Sequence, residues 1–237
     1  MAKTEELGFQ KTPLGDLTLR RRAEPLLRTQ DVFEIKLGDE YLMSSLFTVA
    51  EEELARLGLS RLKGELDVVV GGLGLGYTAA EALKNKNVKR LVVIDLFQAV
   101  IDWHKAGLVP MGDVLNADSR CELRQGDFFS LARTGLDAGA PDRKFDAVLL
   151  DIDHSPEHFL GPGSKSFYTS DGLTSVRSQL NLRGTFALWS NDPASDDFTG
   201  HLRKVFGSAA AHNIEFPNPY TGSVSVNSVY VAQKMAE

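Results

Sequence analysis

Two patterns of hydrophobic positions divide the chain into a short first part and a long second part. Apolar and polar residues alternate along positions 15–20 and 32–37, and Gly38-Asp39-Glu40 interrupts the pattern before Tyr41-Leu42-Met43. Alternation of this kind is typical of half-buried strands, and the interruption indicates a hairpin. We therefore predict a small N-terminal β-hairpin unit over residues 1–45.

From residue 46 onward, continuous apolar runs alternate with helical patterns. Residues that are apolar at every position of a short run indicate strands buried on both faces, as in a parallel sheet covered by helices. Such runs lie at 68–70, 91–94, 147–150 and 186–189, and the run at 229–232 indicates a closing antiparallel pair. Helices are predicted at 49–62, 77–85, 97–106, 127–134, 170–180 and 195–206. This alternation predicts a doubly wound α/β domain over residues 46–237.

Composition and charge narrow the function classes. The 237 residues are 43% hydrophobic and 24% charged, which suits one large core with a small appendage. The net charge of −6 and a single short basic run, Arg20-Arg21-Arg22, argue against a nucleic-acid partner. No uncharged apolar run approaches the length of a membrane span, no signal-peptide pattern is found, and Cys121 is the single cysteine. We expect a cytoplasmic protein without a membrane partner.

A glycine-rich turn follows the first buried strand. Gly71-Gly72-Leu73-Gly74-Leu75-Gly76 separates that strand from the helix predicted to begin at Tyr77. A turn of this kind lets the backbone approach a ligand, and the following helix N-terminus favours negative charge. The turn therefore indicates a nucleotide or nucleoside site, although a tight turn that needs only small residues remains an alternative.

Two acids at later strand ends strengthen the nucleoside interpretation. Asp95 ends the second strand, 19 positions after Gly76, where a carboxylate can accept hydrogen bonds from ribose hydroxyls. Asp127 follows a third short strand and could accept a hydrogen bond from an adenine amino group, with Phe128 against the base. The alternatives are a strand-end acid facing solvent at Asp95 and a helix N-cap at Asp127.

The loop after the fourth strand carries the candidate chemistry. Ligands of open α/β sheets bind beyond the carboxyl ends of the strands, so Asp151-Ile152-Asp153-His154 should face the same crevice. Asp151 could take a proton from an attacking amine or hydroxyl, or hold a cationic group, and His154 could share the role of base. Asp153, Tyr168 and Asn191 are predicted around the substrate.

Metal chemistry is the less favoured interpretation of the same region, and no metal ligands are assigned. The string from His154 to His158 resembles a zinc-peptidase motif, but Pro156 disfavours the helix that such a motif needs. A magnesium ion near Asp151, Asn191 and Asp192 would suit oxygen ligands, as in catechol-type O-methyltransferases.

Taken together, these motifs resemble the spermidine synthase-like branch of the S-adenosylmethionine-type transferases, from about Leu14 to the C-terminus. The resemblance implies a seven-stranded, mostly parallel Rossmann-like sheet behind a small β-hairpin domain, often in homodimers. It also implies a cofactor site formed by Glu51, Gly72, Gly74, Gly76, Asp95, Leu96, Asp127 and Phe128. In this resemblance Asp151 matches the first acid of an Asp-x-x-Asp loop that, in aminopropyltransferases, deprotonates the attacking amine.

Departures from that family pattern suggest a different donor. The glycine loop lacks the acid of Gly-Gly-Gly-Asp-Gly-Gly, His154 replaces the second acid of Asp-x-x-Asp, and Glu51 alone remains of a Tyr-(Gln/His)-Glu motif. An acid in the glycine loop would favour the lone ammonium of decarboxylated S-adenosylmethionine and repel the carboxylate of the intact cofactor. The sequence therefore predicts a transferase that uses S-adenosylmethionine, most simply a methyltransferase acting on a small-molecule acceptor.

Three alternatives stay open. The first is a polyamine aminopropyltransferase (a spermidine synthase) that uses decarboxylated S-adenosylmethionine, and the second is a non-catalytic nucleoside-binding or scaffold protein of the same fold. The third, a NAD-dependent oxidoreductase, is disfavoured because no second cluster indicates a hydride-transfer site.

Overall fold

The N-terminal part of the protein is a four-stranded antiparallel sheet. The computed structural model describes residues 4–25, 31–158 and 164–236. The strands follow chain order in the sheet and are β1 (Thr4–Thr12), β2 (Gly15–Ala23), β3 (Asp31–Leu37) and β4 (Glu40–Ser44). The sequence pattern missed β1, in which a register irregularity between Glu6 and Gly8 interrupts the alternation of apolar and polar positions.

The rest of the chain builds a seven-stranded sheet with the order β10-β11-β9-β8-β5-β6-β7. Its strands are β5 (Leu66–Gly71), β6 (Val88–Asp95), β7 (Cys121–Gln125), β8 (Phe145–Leu150), β9 (Leu180–Ser190), β10 (Gly207–Asn218) and β11 (Ser223–Lys234). Strands β5 to β9 pair in parallel, and β10 and β11 close the sheet in antiparallel pairing. The predicted fold class is confirmed.

In the part of the chain that the structure describes, seven α-helices connect and cover the strands of this sheet. They are α1 (Val49–Leu59), α2 (Tyr77–Lys84), α3 (Gln98–Lys105), α4 (Gly112–Ala117), α5 (Phe128–Thr134), α6 (Ser170–Ser178) and α7 (Asp196–Phe206), and a 3-10 turn spans Lys165–Tyr168. The six predicted helices are present. The sequence pattern missed α4, which has only six residues and therefore too few positions to show helical periodicity.

Two hydrophobic cores lie on opposite faces of the large sheet. Val68 and Val70 belong to one core, and Val69, between them in the chain, belongs to the other. Because side chains alternate across a strand, both faces must be apolar, which explains the continuous runs in the sequence. The small sheet contributes Leu17 and Leu19 to the first core. It is therefore packed into the same side of the protein as α1 and α2.

Strand order places one crevice at the centre of the large sheet. The strand β5 pairs with β6 on one side and with β8 on the other, so the chain connections leave it in opposite directions. Ligands of open α/β sheets bind at such a switch point, beyond the carboxyl ends of the strands. Gly71, Asp95 and Leu150 end these three strands. Among the described residues, no helix has both the length and the apolar character that a membrane span requires.

Close packing of α1 on the sheet depends on Gly58. A Cβ atom at this position would lie 2.5 Å from Leu149 Cδ2 and 3.1 Å from Ala187 Cβ. We expect Gly58→Ala to lower the free energy of unfolding by about 1–3 kcal/mol, because the buried side chains must shift. Urea unfolding measures this value.

Gly200 in α7 is the matched control. A Cβ atom there meets nothing within 4 Å, so Gly200→Ala should leave stability unchanged or raise it by about 0.5–1 kcal/mol through the better helix propensity of alanine. Equal effects of the two substitutions would show that the packing of α1 does not depend on Gly58.

Candidate functional site

A cavity of about 290 Å³ lies at the carboxyl ends of β5, β6 and β8. The large sheet forms one wall, and the small sheet forms another. The lining residues from the small sheet and the adjoining turns are Leu14, Ile35, Leu37, Leu42 and Met43. The cavity thus lies between the two sheets, and most of its wall on the side of the small sheet is aliphatic.

The glycine-rich turn borders this cavity through Gly72 and Gly74. Gly72 has a φ of +93° and a Cβ atom there would lie 2.0 Å from the backbone oxygen of Asp151, so only glycine fits. Gly74 has a φ of +47°. Its carbonyl accepts a hydrogen bond from Nε2 of the buried His104 at 3.0 Å. Burial lowers the pKa of His104 to about 4, so the imidazole is neutral, and its hydrogen bond to Gly74 holds the turn in place.

Asp95 lines the cavity and also organises the turn. Its Oδ2 accepts a hydrogen bond from the backbone N–H of Leu73 at 2.9 Å, and its Oδ1 accepts one from Phe97 at 2.8 Å. Burial raises the pKa of Asp95, although these backbone donors oppose the change. Asp95 is therefore not a solvent-facing acid. Each oxygen keeps a further lone pair that can accept a ligand hydroxyl.

Asp127 is both a helix cap and a cavity residue. Its side chain accepts a hydrogen bond from the backbone N–H of Phe129 at 3.0 Å and caps α5, as the alternative interpretation proposed. It also lines the cavity, together with Phe128 and Phe129. Phe128 is buried and packs against Gly71, where a Cβ atom would lie 2.6 Å from the Phe128 ring.

Two carboxylic acids from distant parts of the chain meet in the cavity. Glu51 comes from the first turn of α1 and is 7% exposed, and Asp151 follows β8. Burial and the charge of Asp151 raise the pKa of Glu51 well above its ordinary value. Burial raises the pKa of Asp151 to about 6, and a hydrogen bond from Thr78 opposes this rise. Two like charges in a low-dielectric site disfavour double ionisation, so the pair tends to keep a proton near neutral pH.

Thr78 is the neighbour that the sequence did not reveal. Its hydroxyl donates a hydrogen bond to Asp151 Oδ2 at 2.6 Å and lies 3.3 Å from the backbone oxygen of Glu51. Among the described residues, no basic side chain forms an ion pair with either acid. The pair is therefore an uncompensated anionic site, suited to a ligand that brings its own positive charge.

The structure brings most of the predicted site residues together. The lining includes Glu51, Gly72, Gly74, Asp95, Leu96, Asp127, Phe128, Asp151 and Asp153. The other four predicted residues, which do not line the cavity, are Gly76, His154, Tyr168 and Asn191.

Three of these four residues contact other parts of the protein instead, whereas His154 lies in the loop after β8 and contacts Glu40. Gly76 caps α2, and a Cβ atom there would lie 2.7 Å from the ring of His104. Tyr168 donates a hydrogen bond to the buried Asp153 at 2.9 Å, so it reaches the cavity only through that acid. The Asn191 side chain lies 3.2 Å from Asn227 Nδ2.

The zinc-peptidase interpretation of the His154–His158 string is not supported by the geometry. His158 Nδ1 lies 3.0 Å from Ser155 Oγ and 3.4 Å from Asp192 Oδ2, whereas His154 contacts Glu40. Within residues 4–25, 31–158 and 164–236, no group of three or more His, Cys, Asp or Glu side chains could hold a metal ion.

Sequence reasoning missed the residues that close the cavity from the other side. Leu37, Leu42, Met43 and Trp189 line it, and the indole Nε1 of Trp189 is buried without a hydrogen-bond partner. The hairpin pattern around Leu42 was recognised, but a strand pattern alone does not show what a strand faces.

Comparisons with known proteins agree with this geometry. The sequence profile of the family described as "Spermine/spermidine synthase domain" matches residues 48–208. A polyamine aminopropyltransferase of Pyrobaculum islandicum is 32% identical over 197 residues, 80% of this chain and 66% of the relative. One of Pyrobaculum calidifontis is 27% identical over 158 residues, 66% of this chain and 53% of the relative. The chain therefore spans about half to two thirds of the length of these relatives.

A solved structure supports the fold. A spermidine synthase in complex with the transition-state analogue AdoDATO superposes with a TM-score of 0.74 at 18% identity, covering 98% of this chain and 74% of that one. At this identity the likeness concerns the fold alone.

These matches correct the sequence-based preference for a methyltransferase. The relatives are named as aminopropyltransferases, which was the alternative interpretation. The preference was wrong because it gave most weight to the acid that the glycine loop lacks, although Glu51, itself predicted as a cofactor residue, lines the same cavity as Asp151. The homodimer and the cytoplasmic location stay predictions.

Thr78 provides a test of the acid pair. Thr78→Val keeps the volume but removes the hydroxyl that donates to Asp151, so the pKa of Asp151 should rise further above about 6. Thr78→Ser keeps the donor and should leave the value nearly unchanged. NMR titration of the aspartate carboxyl carbons measures both variants. An unchanged titration of Asp151 in Thr78→Val would mean that this hydrogen bond does not control the acid.

Proposed function

This chain belongs to the spermine/spermidine synthase family, and on that premise we propose that it is a polyamine aminopropyltransferase. Its donor substrate is decarboxylated S-adenosylmethionine, and its acceptor is a small-molecule amine. The reaction forms a longer polyamine and 5′-methylthioadenosine.

The observation that carries this proposal is that the buried Glu51 meets Asp151 in the cavity and that, among the described residues, neither acid has a basic partner. Decarboxylated S-adenosylmethionine carries a sulfonium and a primary ammonium but no carboxylate. The pair compensates this ammonium, and the ammonium in turn relieves the repulsion between the two acids. The intact cofactor would bring a third carboxylate toward the pair, which is unfavourable. Glu51 and Asp151 thus provide negative charge for this ammonium, although the glycine loop itself lacks an acid.

The remaining cavity residues suit the nucleoside part of this donor. Gly72 and Gly74 leave room for close approach to the backbone, and Asp95 offers carboxylate lone pairs for ribose hydroxyls. Asp127 and Phe128 lie along the same wall and are assigned to adenine through the family resemblance.

The apolar wall from the small sheet suits the carbon chain of an amine acceptor. Leu37, Leu42 and Met43 offer aliphatic surface, and Trp189 offers an aromatic face on which a cation or methylene groups can pack. Asp153, held by Tyr168, is assigned to the acceptor side. Because the sulfonium is already a good leaving group, the protein has chiefly to align the amine, exclude water and accept one proton. We assign that proton to the loop that carries Asp151 and His154.

Product analysis tests the proposed function. The protein is incubated with decarboxylated or intact S-adenosylmethionine and a set of linear diamines, and the nucleoside products are identified. We expect 5′-methylthioadenosine only when the decarboxylated donor and an amine are both present. Formation of S-adenosylhomocysteine, or binding of both donors without any product, would contradict the proposal.

Substitution of Glu51 tests the ammonium site directly. Glu51→Gln removes one charge-assisted contact, so the affinity for decarboxylated S-adenosylmethionine should fall by about 10- to 100-fold. The affinity for 5′-methylthioadenosine, which lacks the ammonium, should change little. Calorimetric titration measures both.

Glu52→Gln is the matched control for this experiment. Glu52 is the next residue on α1 and lies 3.7 Å from Arg56 instead of lining the cavity. The control should bind both ligands normally. A parallel loss of both ligands in Glu51→Gln would indicate a general structural role for Glu51.

A further inference from the structure

A hydrogen bond between Glu40 and His154 joins the small sheet to the loop after β8. His154 Nε2 lies 2.9 Å from Glu40 Oε1, across 114 positions of sequence. Glu40 begins β4, and His154 is three residues beyond Asp151. It occupies the position of the second acid of the Asp-x-x-Asp pattern. An imidazole with a carboxylate partner thus stands where the family pattern has a carboxylate.

His154 is held from two sides. Its backbone oxygen accepts a hydrogen bond from the Asn191 N–H at 2.7 Å, and the Asn191 carbonyl accepts one from Asn227 Nδ2 at 3.0 Å. The loop is thereby tied to the residue after β9 and, through it, to Asn227 within β11, while Glu40 holds the ring from the small sheet.

The contact with Glu40 defines which nitrogen of His154 is available. A carboxylate accepts the hydrogen bond, so Nε2 carries the proton and Nδ1 keeps a lone pair. Nδ1 has no hydrogen-bond partner among the described residues, and the side chain is 29% exposed. The arrangement matches that of a general base whose tautomer and orientation are fixed by a neighbouring acid.

His154 does not itself line the cavity, but it directly follows Asp153, which does. We propose that His154 accepts the proton of the acceptor amine, directly or through one water molecule, and that Glu40 is its positioning residue, so that the small sheet completes the transfer site. The proposal rests on the proposed function and deepens it. Asp151 is less suited to this role, because one of its oxygens accepts from Thr78 and its charge is assigned with Glu51 to the donor ammonium.

The proposed step balances protons and electrons. An alkylamine is protonated at neutral pH, with a pKa of about 10, and first gives one proton to Nδ1 of His154. The nitrogen lone pair then forms a bond to the aminopropyl carbon beside sulfur, and the carbon–sulfur electron pair stays on sulfur. The products are a secondary ammonium and a neutral thioether, and the proton on Nδ1 passes to solvent. Glu40 stabilises the transient imidazolium.

Other titratable groups lie on the segments around His154. Asp153, Glu157 and His158 belong to its own loop, Asp192 follows β9, and Asp39 precedes Glu40. Asp153 accepts from Tyr168, and His158 contacts Ser155 and Asp192. Of the described residues, Glu40 is the one that hydrogen-bonds the imidazole.

A pair of neutralising substitutions on one turn tests the role of Glu40. Glu40→Gln should lower kcat/KM for the amine by about 10- to 100-fold. Asp39→Asn removes a neighbouring exposed charge that does not hydrogen-bond His154, so it should leave kcat/KM for the amine unchanged. Both variants should bind decarboxylated S-adenosylmethionine normally, which verifies folding.

Substitution of His154 completes the test. His154→Asn should abolish transfer but keep donor binding, whereas His154→Asp supplies a carboxylate base and should retain transfer. In the His154→Asp protein, Glu40→Gln should have no further effect. A kcat/KM of Glu40→Gln equal to that of Asp39→Asn, or an equal loss from Glu40→Gln in the wild-type and His154→Asp proteins, would overturn the pairing while leaving the aminopropyltransferase proposal intact. Absence of 5′-methylthioadenosine with the unmodified protein would overturn both.

Discussion

The site depends on two carboxylic acids, Glu51 and Asp151, that meet in the cavity and that have no basic partner among the described residues. Placing such groups away from water is costly unless they keep a proton or receive a cation. In the free protein, Glu51 and Asp151 keep a proton, as their raised pKa values indicate. When the proposed donor binds, its ammonium supplies the cation. In our proposal, this constraint favours a cationic ligand without a carboxylate even though the glycine loop lacks an acid.

The fold brings these acids together from separate elements. The loop after β8 provides Asp151, and α1, which precedes the large sheet in the chain, provides Glu51. Close packing at Gly58 brings α1 against the large sheet, and the absence of a side chain at Gly72 lets the glycine-rich turn contact the Asp151 loop. The small sheet covers the cavity and contributes Glu40 to the Asp151 loop. In our account it is therefore part of the site and not only a support.

The sequence was sufficient for the fold and for the residues at strand ends. The continuous apolar runs predicted the large sheet because Val68, Val69 and Val70 face two different cores. The glycine turn and Asp95 could be predicted from the sequence because they follow or end consecutive strands of a βαβ unit, which places both at the same edge of the sheet. Contacts between distant segments were not predictable, since neither the Thr78–Asp151 bond nor the Glu40–His154 bond leaves a periodic pattern. The preference for a methyltransferase failed for a related reason: it gave most weight to the acid missing from one loop, and the sequence does not show which charges from other elements meet in the cavity.

Proton release on ligand binding tests the central claim most directly. Near pH 6, where the pKa of Asp151 lies, the free pair holds a proton that an incoming ammonium should displace. Calorimetric titration in buffers of different ionisation enthalpy counts the protons released. We predict net proton release on binding of decarboxylated S-adenosylmethionine and none on binding of 5′-methylthioadenosine. In Glu51→Gln, this difference in proton release between the two ligands should disappear. Equal proton release with the two ligands would contradict the account.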